Sequence, residues 1–454
     1  MKVTTDPTRF SRRTIWSLAW PMMLANISVP LMGAVDAAVM GHQEDPRYLG
    51  AVAVGASLFT VVYWIFGFLR LGTSGIAAQL CGHSEDLTRR HELRYTLLRS
   101  LGLGLLIGLA LLATQPAVVG FGVRLMGASQ QVTEQALEYG YARIFGAPAV
   151  LASYALCGWL IGIGRTRPIL LMTLFANALN VLLCLLFVYA LGMKSAGVAA
   201  ATATAESAGL ALGLWLVRRD LNARIGIDWQ AVFDLRRIRQ LVAVSLPLLA
   251  NTASVMFVFY FFTLQGARLG DTTLAANAIL MQLFFIMAYV LDPFSYACES
   301  LCGRCIGARD GANFHRAVRA AASCITMAGT CFAVGYYLLQ DLLIPLLSSL
   351  PDVIGRAKEL VIWLSILPFA YMTNNLLDGV FVGALKVKQQ RNAVLVSTLL
   401  VFLPVWYLTR AWGADGLWLA FTLFFLSRSA IELGYYWFFT RSDTWYPQPL
   451  EIVT

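Results

Sequence analysis

Uninterrupted apolar runs about twenty residues long or more constrain this chain before any other feature does. Leu171–Met193 (LMTLFANALNVLLCLLFVYALGM) carries no charged residue, and Leu97–Val123 carries only Arg99. About 20 apolar residues in a helix cross a hydrocarbon core. Lipid offers the backbone no hydrogen-bond partners, so such runs must satisfy themselves as helices. Only 13% of the 454 residues are charged and 58% are hydrophobic, whereas soluble domains carry roughly a quarter charged residues. The sequence predicts an all-α polytopic membrane protein with about twelve transmembrane helices. These lie near 14–40, 49–80, 93–119, 126–160, 168–191, 196–217, 238–264, 275–303, 317–346, 357–384, 392–410 and 416–440.

The net charge of +9 would suit a nucleic-acid partner if it were clustered, but its placement follows topology. Alternate loops hold Arg9, Arg12 and Arg13; Arg89, Arg90 and Arg94; Arg165 and Arg167; the run from Arg218 to Arg239; Arg309 and Arg316; Lys386, Lys388 and Arg391; and Arg441. The opposite loops hold scattered cations only: Arg47, Arg124, Lys194, Arg268, Arg356, Lys358 and Arg410. That asymmetry is the positive-inside pattern and puts both termini in the cytoplasm. No nucleic-acid partner is expected. The basic N-terminal stretch leads into a run too long for a signal peptide and without a small-residue cleavage site, so it reads as the first span.

The chain also repeats itself. Leu24–Asn26 (LAN) returns as Leu249–Asn251, and Gly41, Leu49 and Gly82 map to Gly266, Leu274 and Gly307 at the same spacing of 225. GWLIGIGRT (Gly158–Thr166) resembles GVFVGALKV (Gly379–Val387) at a spacing of 221. Each half holds about six spans, an even number, so both enter from the same side as parallel repeats about an axis along the membrane normal. The expected organisation is a six-helix lobe over 1–217, a basic cytoplasmic linker over 218–237 and a second six-helix lobe over 238–454. The linker's alternating apolar and charged residues suit a short helix lying on the inner surface.

Ionisable groups inside spans are costly and call for a partner or a function. The candidates are Asp36 and Glu206 in the first half, and Asp292, Glu299, Asp378, Arg428 and Glu432 in the second, with Arg70 joining them if its helix continues. Asp36 stands apart because the repeat places Phe261 at the equivalent position. Its helix contains Pro21 and Pro30, and proline removes a ladder hydrogen bond and kinks a helix. A carboxyl buried in hydrocarbon can take up and release a proton near neutral pH. The bland alternative is that Asp36 caps the helix at the water interface near His42, Glu44 and Asp45. Asn177, Asn180 and Thr202 are polar groups on apolar helices, serving either as interhelical glue or as oxygen ligands for a cation.

In the second lobe, Arg428 and Glu432 stand four apart, in reach of each other on one face. Asp292 and Glu299 are seven apart and form either a second proton path or partners for Arg428. The CxxC within CESLCGRC (Cys298–Cys305) has redox or zinc spacing, but on a membrane helix it reads as packing. Eight scattered cysteines make no disulfide framework. His42, His83, His91 and His315 fall at span ends or in loops, with no catalytic or metal motif beside them. No catalytic residues, metal or organic cofactor are expected.

The layout PMMLANISVPLMGAVDAAVMGH, YLGAVAVGASLF and LRLGTSGIAAQ resembles the multidrug and toxic compound extrusion (MATE) transporters, in their DinF-like branch. ANAILMQLFFIMAYVLDPFSYACES, GARDG and LLDGVFVGA extend the resemblance over the whole chain. The resemblance implies two six-helix lobes forming a V in a bacterial inner (plasma) membrane. It also implies export, by a monomer, of cationic or amphipathic drugs and toxins in exchange for H⁺ or Na⁺. Asp36 would be the proton-coupling acid, its protonation linked to bending of the first helix at Pro21. Asn180 and Thr202 would join Asp36 in a cation site or hydrogen-bond network, and Asn177 would extend that network. A further acid expected on the fifth span is Cys184 here, which removes a hard anionic ligand and favours H⁺ over Na⁺. The methionines Met22, Met23, Met32 and Met40 could give a drug cavity adaptable walls.

Two readings compete with proton-coupled export. One is sodium-coupled drug antiport. The other is a flippase for lipid-linked oligosaccharide or another lipid, which would need several cations to hold pyrophosphate where only Arg70 and Arg428 are evident. A membrane-embedded enzyme lacks a nucleophile-and-base or metal constellation.

Overall fold

The computed structural model describes residues 10–41, 43, 45–83, 86–221 and 228–446. Those residues are helical almost throughout and contain no strand, as a bilayer demands. The spans of the first half are α1 (Arg12–Gly41), α2 (Arg47–Gly82), α3 (Arg89–Ala113), α4 (Gln130–Gly162), α5 (Arg167–Ala190) and α6 (Lys194–Leu216). Those of the second half are α7 (Leu235–Arg268), α8 (Asp271–Gly307), α9 (Gly311–Leu338), α10 (Pro351–Gly383), α11 (Val387–Trp412) and α12 (Ala414–Arg441). The fold is two lobes of six helices. Among the described residues, eleven helices are long and apolar enough to cross a membrane. The twelfth, α6, has 23 residues, about 35 Å of helix and enough to span. Its apolarity is lower because Glu206 interrupts a run of Ala, Gly and Thr. Small residues let neighbouring backbones approach closely, and Gly209 and Gly213 of α6 face Ala176 and Met172 of α5.

Several span ends differ from the sequence expectation. The third span stops at Ala113, and a π-helical turn follows over Pro116–Phe121. The ninth begins at Gly311, six residues before the expected 317, because Asp310 caps it by accepting from the Asn313 amide at 3.0 Å. The ninth ends at Leu338, with a separate short helix over Gln340–Leu347. Among its described residues, the linker forms two four-residue helical turns, Arg218–Leu221 and Trp229–Val232.

The repeat is visible in backbone conformation. Two residues past the end of α4, Gly164 has φ 71°, and two residues past the end of α10, Leu385 has φ 56°, a pair at the spacing of 221. In both, the following residue reaches back five positions: Arg165 N donates to Leu160 O, and Lys386 N to Phe381 O, each at 2.8 Å. This is a Schellman closure, which requires a left-handed residue. Glycine adopts that conformation freely and leucine under strain.

By packing, the described residues divide into two units, one comprising 21–77 and 86–245 and the other 10–20, 78–83 and 246–446. In the first, α4 packs against α2, α3 and α6. In the second, α10 packs against α8, α9 and α12. The second unit also holds Gly82 and Gly307, repeat mates whose backbones abut: a Cβ on Gly307 would fall 1.9 Å from Gln79 O, and one on Gly82 2.2 Å from Arg304 O.

Candidate polar sites in the two units

α1 runs unbroken through Pro21 and Pro30, and α5 touches it on both sides of Pro30. Before the proline, Asn177 Nδ2 donates to Ser28 O at 3.1 Å and to Ser28 Oγ at 2.9 Å. After it, Cys184 Sγ donates to Asp36 Oδ1 at 3.3 Å. Asp36 is only 8% exposed, so it is not an open interfacial cap. Two of its proposed neighbours in that role, His42 and Glu44, lie outside the described residues.

Of the residues expected around Asp36, the fully buried Asn180 donates from Nδ2 to Thr202 Oγ1 at 3.0 Å. Thr202 Oγ1 itself donates to Val198 O at 2.9 Å. The Asn180 carboxamide oxygen is buried and makes no hydrogen bond. Asn177 serves Ser28 rather than the Asp36 carboxylate, a correction to the network expected from sequence. Cys184 lies against Asp36 and supplies a neutral thiol where a carboxylate was expected. The equivalent of Asp36 in the second lobe, Phe261, packs edge-on to Phe402 and Trp406 with ring centroids at 5.4 and 4.8 Å.

Sequence reading missed Arg143. This buried guanidinium on α4 grips Glu206 on α6 with both prongs at 2.7 Å. It also lies over the rings of Tyr63 and Phe59 at 5.1 and 5.8 Å. Bidentate geometry of this kind is the strong form of the interaction. Glu206 therefore has its partner, and Arg143 is committed to it.

The second unit carries two polar clusters. Asp292 Oδ1 accepts from Tyr371 Oη and from Asn375 Nδ2, both at 2.6 Å. Asp378 accepts from Arg428 Nη2 at 2.6 Å and from Gln390 Nε2 at 2.5 Å. Arg428 Nε also donates to Glu432 at 3.3 Å, and Asn374 Nδ2 donates to the other Glu432 oxygen at 3.2 Å. The four-apart pair expected of Arg428 and Glu432 is present, with Asp378 as a third member. Glu299 is buried within α8. Tyr371, Asn374, Asn375 and Asp378 fall at i, i+3, i+4 and i+7, a polar face that periodicity could have revealed.

The cysteines are all free, and Cys298 Sγ lies 3.6 Å from Cys302 Sγ in a buried position. Among the described residues, no group of His, Cys, Asp and Glu could hold a metal ion.

Comparison with known proteins accords with this architecture. The MatE family model matches residues 21–186 and 247–408. DNA damage-inducible protein F of Escherichia coli (strain K12) is 37% identical over 440 residues, covering 96% of this chain and 94% of that protein. Multidrug resistance protein NorM of Vibrio cholerae is 24% identical, covering 94% and 95% of the two chains. A crystal structure of MATE in the bent conformation superposes with a TM-score of 0.83 at 20% identity, covering 97% of this chain and 98% of that one. MATE in the straight conformation gives 0.80 at 21% identity, covering 97% and 99%. The chain belongs to the MatE family of integral membrane transporters, within its DinF-like branch.

Proposed function

We propose that this protein exports cationic or amphipathic small molecules in exchange for protons by alternating access, with Asp36 as the coupling acid. The relatives' names support the cargo class: NorM of Vibrio cholerae is a multidrug resistance protein. The observation that carries proton coupling is the pairing of a buried Asp36 with the neutral thiol of Cys184 at 3.3 Å. A proton needs one carboxylate. A sodium ion needs several hard oxygens, and here sulfur stands where one would be.

The two contacts from α5 give the proton a way to act on α1. Protonating Asp36 removes its charge and weakens its claim on the Cys184 thiol, while the Asn177–Ser28 contact stays. Pro30 lies between these two points and lacks the amide that would bond Asn26 O. The stretch between the contacts is therefore where α1 yields, with Pro21 as a second point of bending. The protein works as a monomer in a bacterial inner membrane with both termini cytoplasmic, the orientation its loop cations favour.

Sodium coupling is the second reading, favoured by the unbonded Asn180 carboxamide oxygen close to Thr202 Oγ1. Drug-driven proton exchange in proteoliposomes, run with and without sodium, separates the two. Proton coupling expects exchange in sodium-free buffer and its loss in Asp36→Asn. Undiminished exchange in that variant would remove Asp36 from the mechanism, and exchange only with sodium would establish the second reading. A lipid-pyrophosphate flippase is disfavoured because Arg143 and Arg428 are both held by carboxylates.

A further inference from the structure

The segment joining α6 to α7, taken together with the first two turns of α7, carries three acids and five arginines in its described residues, and the acids are occupied. Asp220 pairs with Arg165 at 2.6 Å. Asp228 caps the short helix Trp229–Val232, accepting from the Gln230 and Ala231 amides at 2.9 and 3.3 Å. Asp234 caps α7 through the Arg236 amide at 2.8 Å. Arg218, Arg219, Arg236, Arg237 and Arg239 have no carboxylate partner among the described residues.

The same segment turns large apolar side chains outward. Trp229, Phe233 and Leu235 are 58%, 67% and 80% exposed, with the Trp229 and Phe233 rings stacked at 6.1 Å. Its opposite face is fastened down. Arg99, buried on α3, donates from Nε to Val232 O at 3.2 Å and from Nη2 to Ala231 O, while its Nη1 holds Glu92 at 3.3 Å. Val232 is buried beside it. A fixed surface with aromatic and leucine side chains outward and guanidiniums along the chain has the composition of an interfacial membrane anchor.

We propose that this segment binds anionic phospholipid of the leaflet it faces. Trp229, Phe233 and Leu235 enter the boundary between headgroups and acyl chains. Arg236, Arg237 and Arg218, which lies over the Trp215 ring at 4.0 Å, take the phosphates. Any lipid would serve the apolar side chains, but guanidiniums without a carboxylate partner among the described residues select for net negative charge. Each basic residue near such a surface favours it by about fivefold, and the planar guanidinium matches phosphate oxygens in pairs.

Fluorescence quenching of the whole protein in nanodiscs tests this. The difference in signal between wild type and Trp229→Phe isolates one of the twelve tryptophans. That component is measured with dibrominated phosphatidylglycerol and, separately, with dibrominated phosphatidylcholine at the same fraction. The expected result is at least about threefold stronger quenching by phosphatidylglycerol, lost in Arg236→Gln/Arg237→Gln and reduced by high salt, which screens exposed charge. An unchanged melting temperature of the double variant in pure phosphatidylcholine shows that it folds, and the salt series tests the same point without substitution. Equal quenching by the two lipids would mean apolar insertion without headgroup recognition and would overturn the proposal. Absence of Trp229 quenching, or a preference indifferent to both salt and the arginines, would overturn it as well.

Discussion

Arg143 and Glu206 meet through both prongs of a guanidinium and both oxygens of a carboxylate, 2.7 Å apart at each contact. The pair ties the fourth helix of the first lobe to the sixth. In the second lobe the fourth and sixth helices are tied by Asp378 and Arg428 at 2.6 Å, with the cation now on the sixth. Removing one member of a buried pair leaves the other uncompensated, at about 3–5 kcal/mol. Glu206 retains some exposure, so Glu206→Ala is expected to cost about 2–4 kcal/mol. Arg143→Met/Glu206→Leu is expected to cost less than Glu206→Ala alone, since it leaves no orphaned charge. Thermal unfolding in detergent measures both, and a double variant less stable than Glu206→Ala would contradict the account.

Two carboxylates share Arg428 in the second lobe, so the cluster has an excess of acid. Glu432→Gln removes one of them, keeps an acceptor oxygen for Arg428 Nε, and lets its amide donate to the Asn374 carboxamide oxygen once that side chain turns over. It is expected to change stability by no more than about 1 kcal/mol. Arg428→Met leaves Asp378 and Glu432 together without their cation, and a loss of about 3–5 kcal/mol follows. The order of the two melting temperatures is the check.

Leu385 occupies the left-handed conformation that its repeat mate Gly164 adopts without strain. The left-handed region costs a side-chain-bearing residue about 1–2 kcal/mol. Leu385→Gly should recover part of this, about 0.5–1 kcal/mol after the lost packing of a half-buried side chain. Gly164→Leu should lose about 1–2 kcal/mol. Opposite signs at two positions 221 apart would show that the repeat preserves the turn rather than the residue.

Membrane insertion and the twofold repeat of six spans were legible because apolar length and fixed spacing are local, additive signals. Helix ends were less so. The start of α9 depends on one Asp310 side chain reaching the Asn313 amide, a contact that apolar periodicity does not record. Arg143 escaped notice for a related reason. The first turns of α4 read QQVTEQALEYGYAR, so its charge resembles another interfacial residue until α6 brings Glu206 to it. Asp36 was evident as a lone acid in an apolar run. That Asn177 answers Ser28, 149 residues away, is a property of how α5 lies along α1, and no local pattern encodes it.

Cys184 offers the sharpest test of the coupling ion. Its thiol rests 3.3 Å from Asp36 Oδ1, and the Asn180 carboxamide oxygen and Thr202 hydroxyl belong to the same helix pair, α5 and α6. Cys184→Asp would set a second carboxylate beside the first and convert a soft neutral neighbour into a hard anionic one. Two carboxylates with amide and hydroxyl oxygens make a better sodium site than one carboxylate with sulfur. Two like charges so close also repel, and either a shared proton or a bound cation relieves them. The variant is therefore expected to become sodium-responsive, with drug transport stimulated by sodium in proteoliposomes at fixed pH. Wild type is expected to be indifferent to sodium under the same conditions. Cys184→Ser, similar in size and still neutral, should behave as wild type does. Sodium stimulation of the wild type, or none in Cys184→Asp despite intact folding, would mean that position 184 does not set the choice of ion.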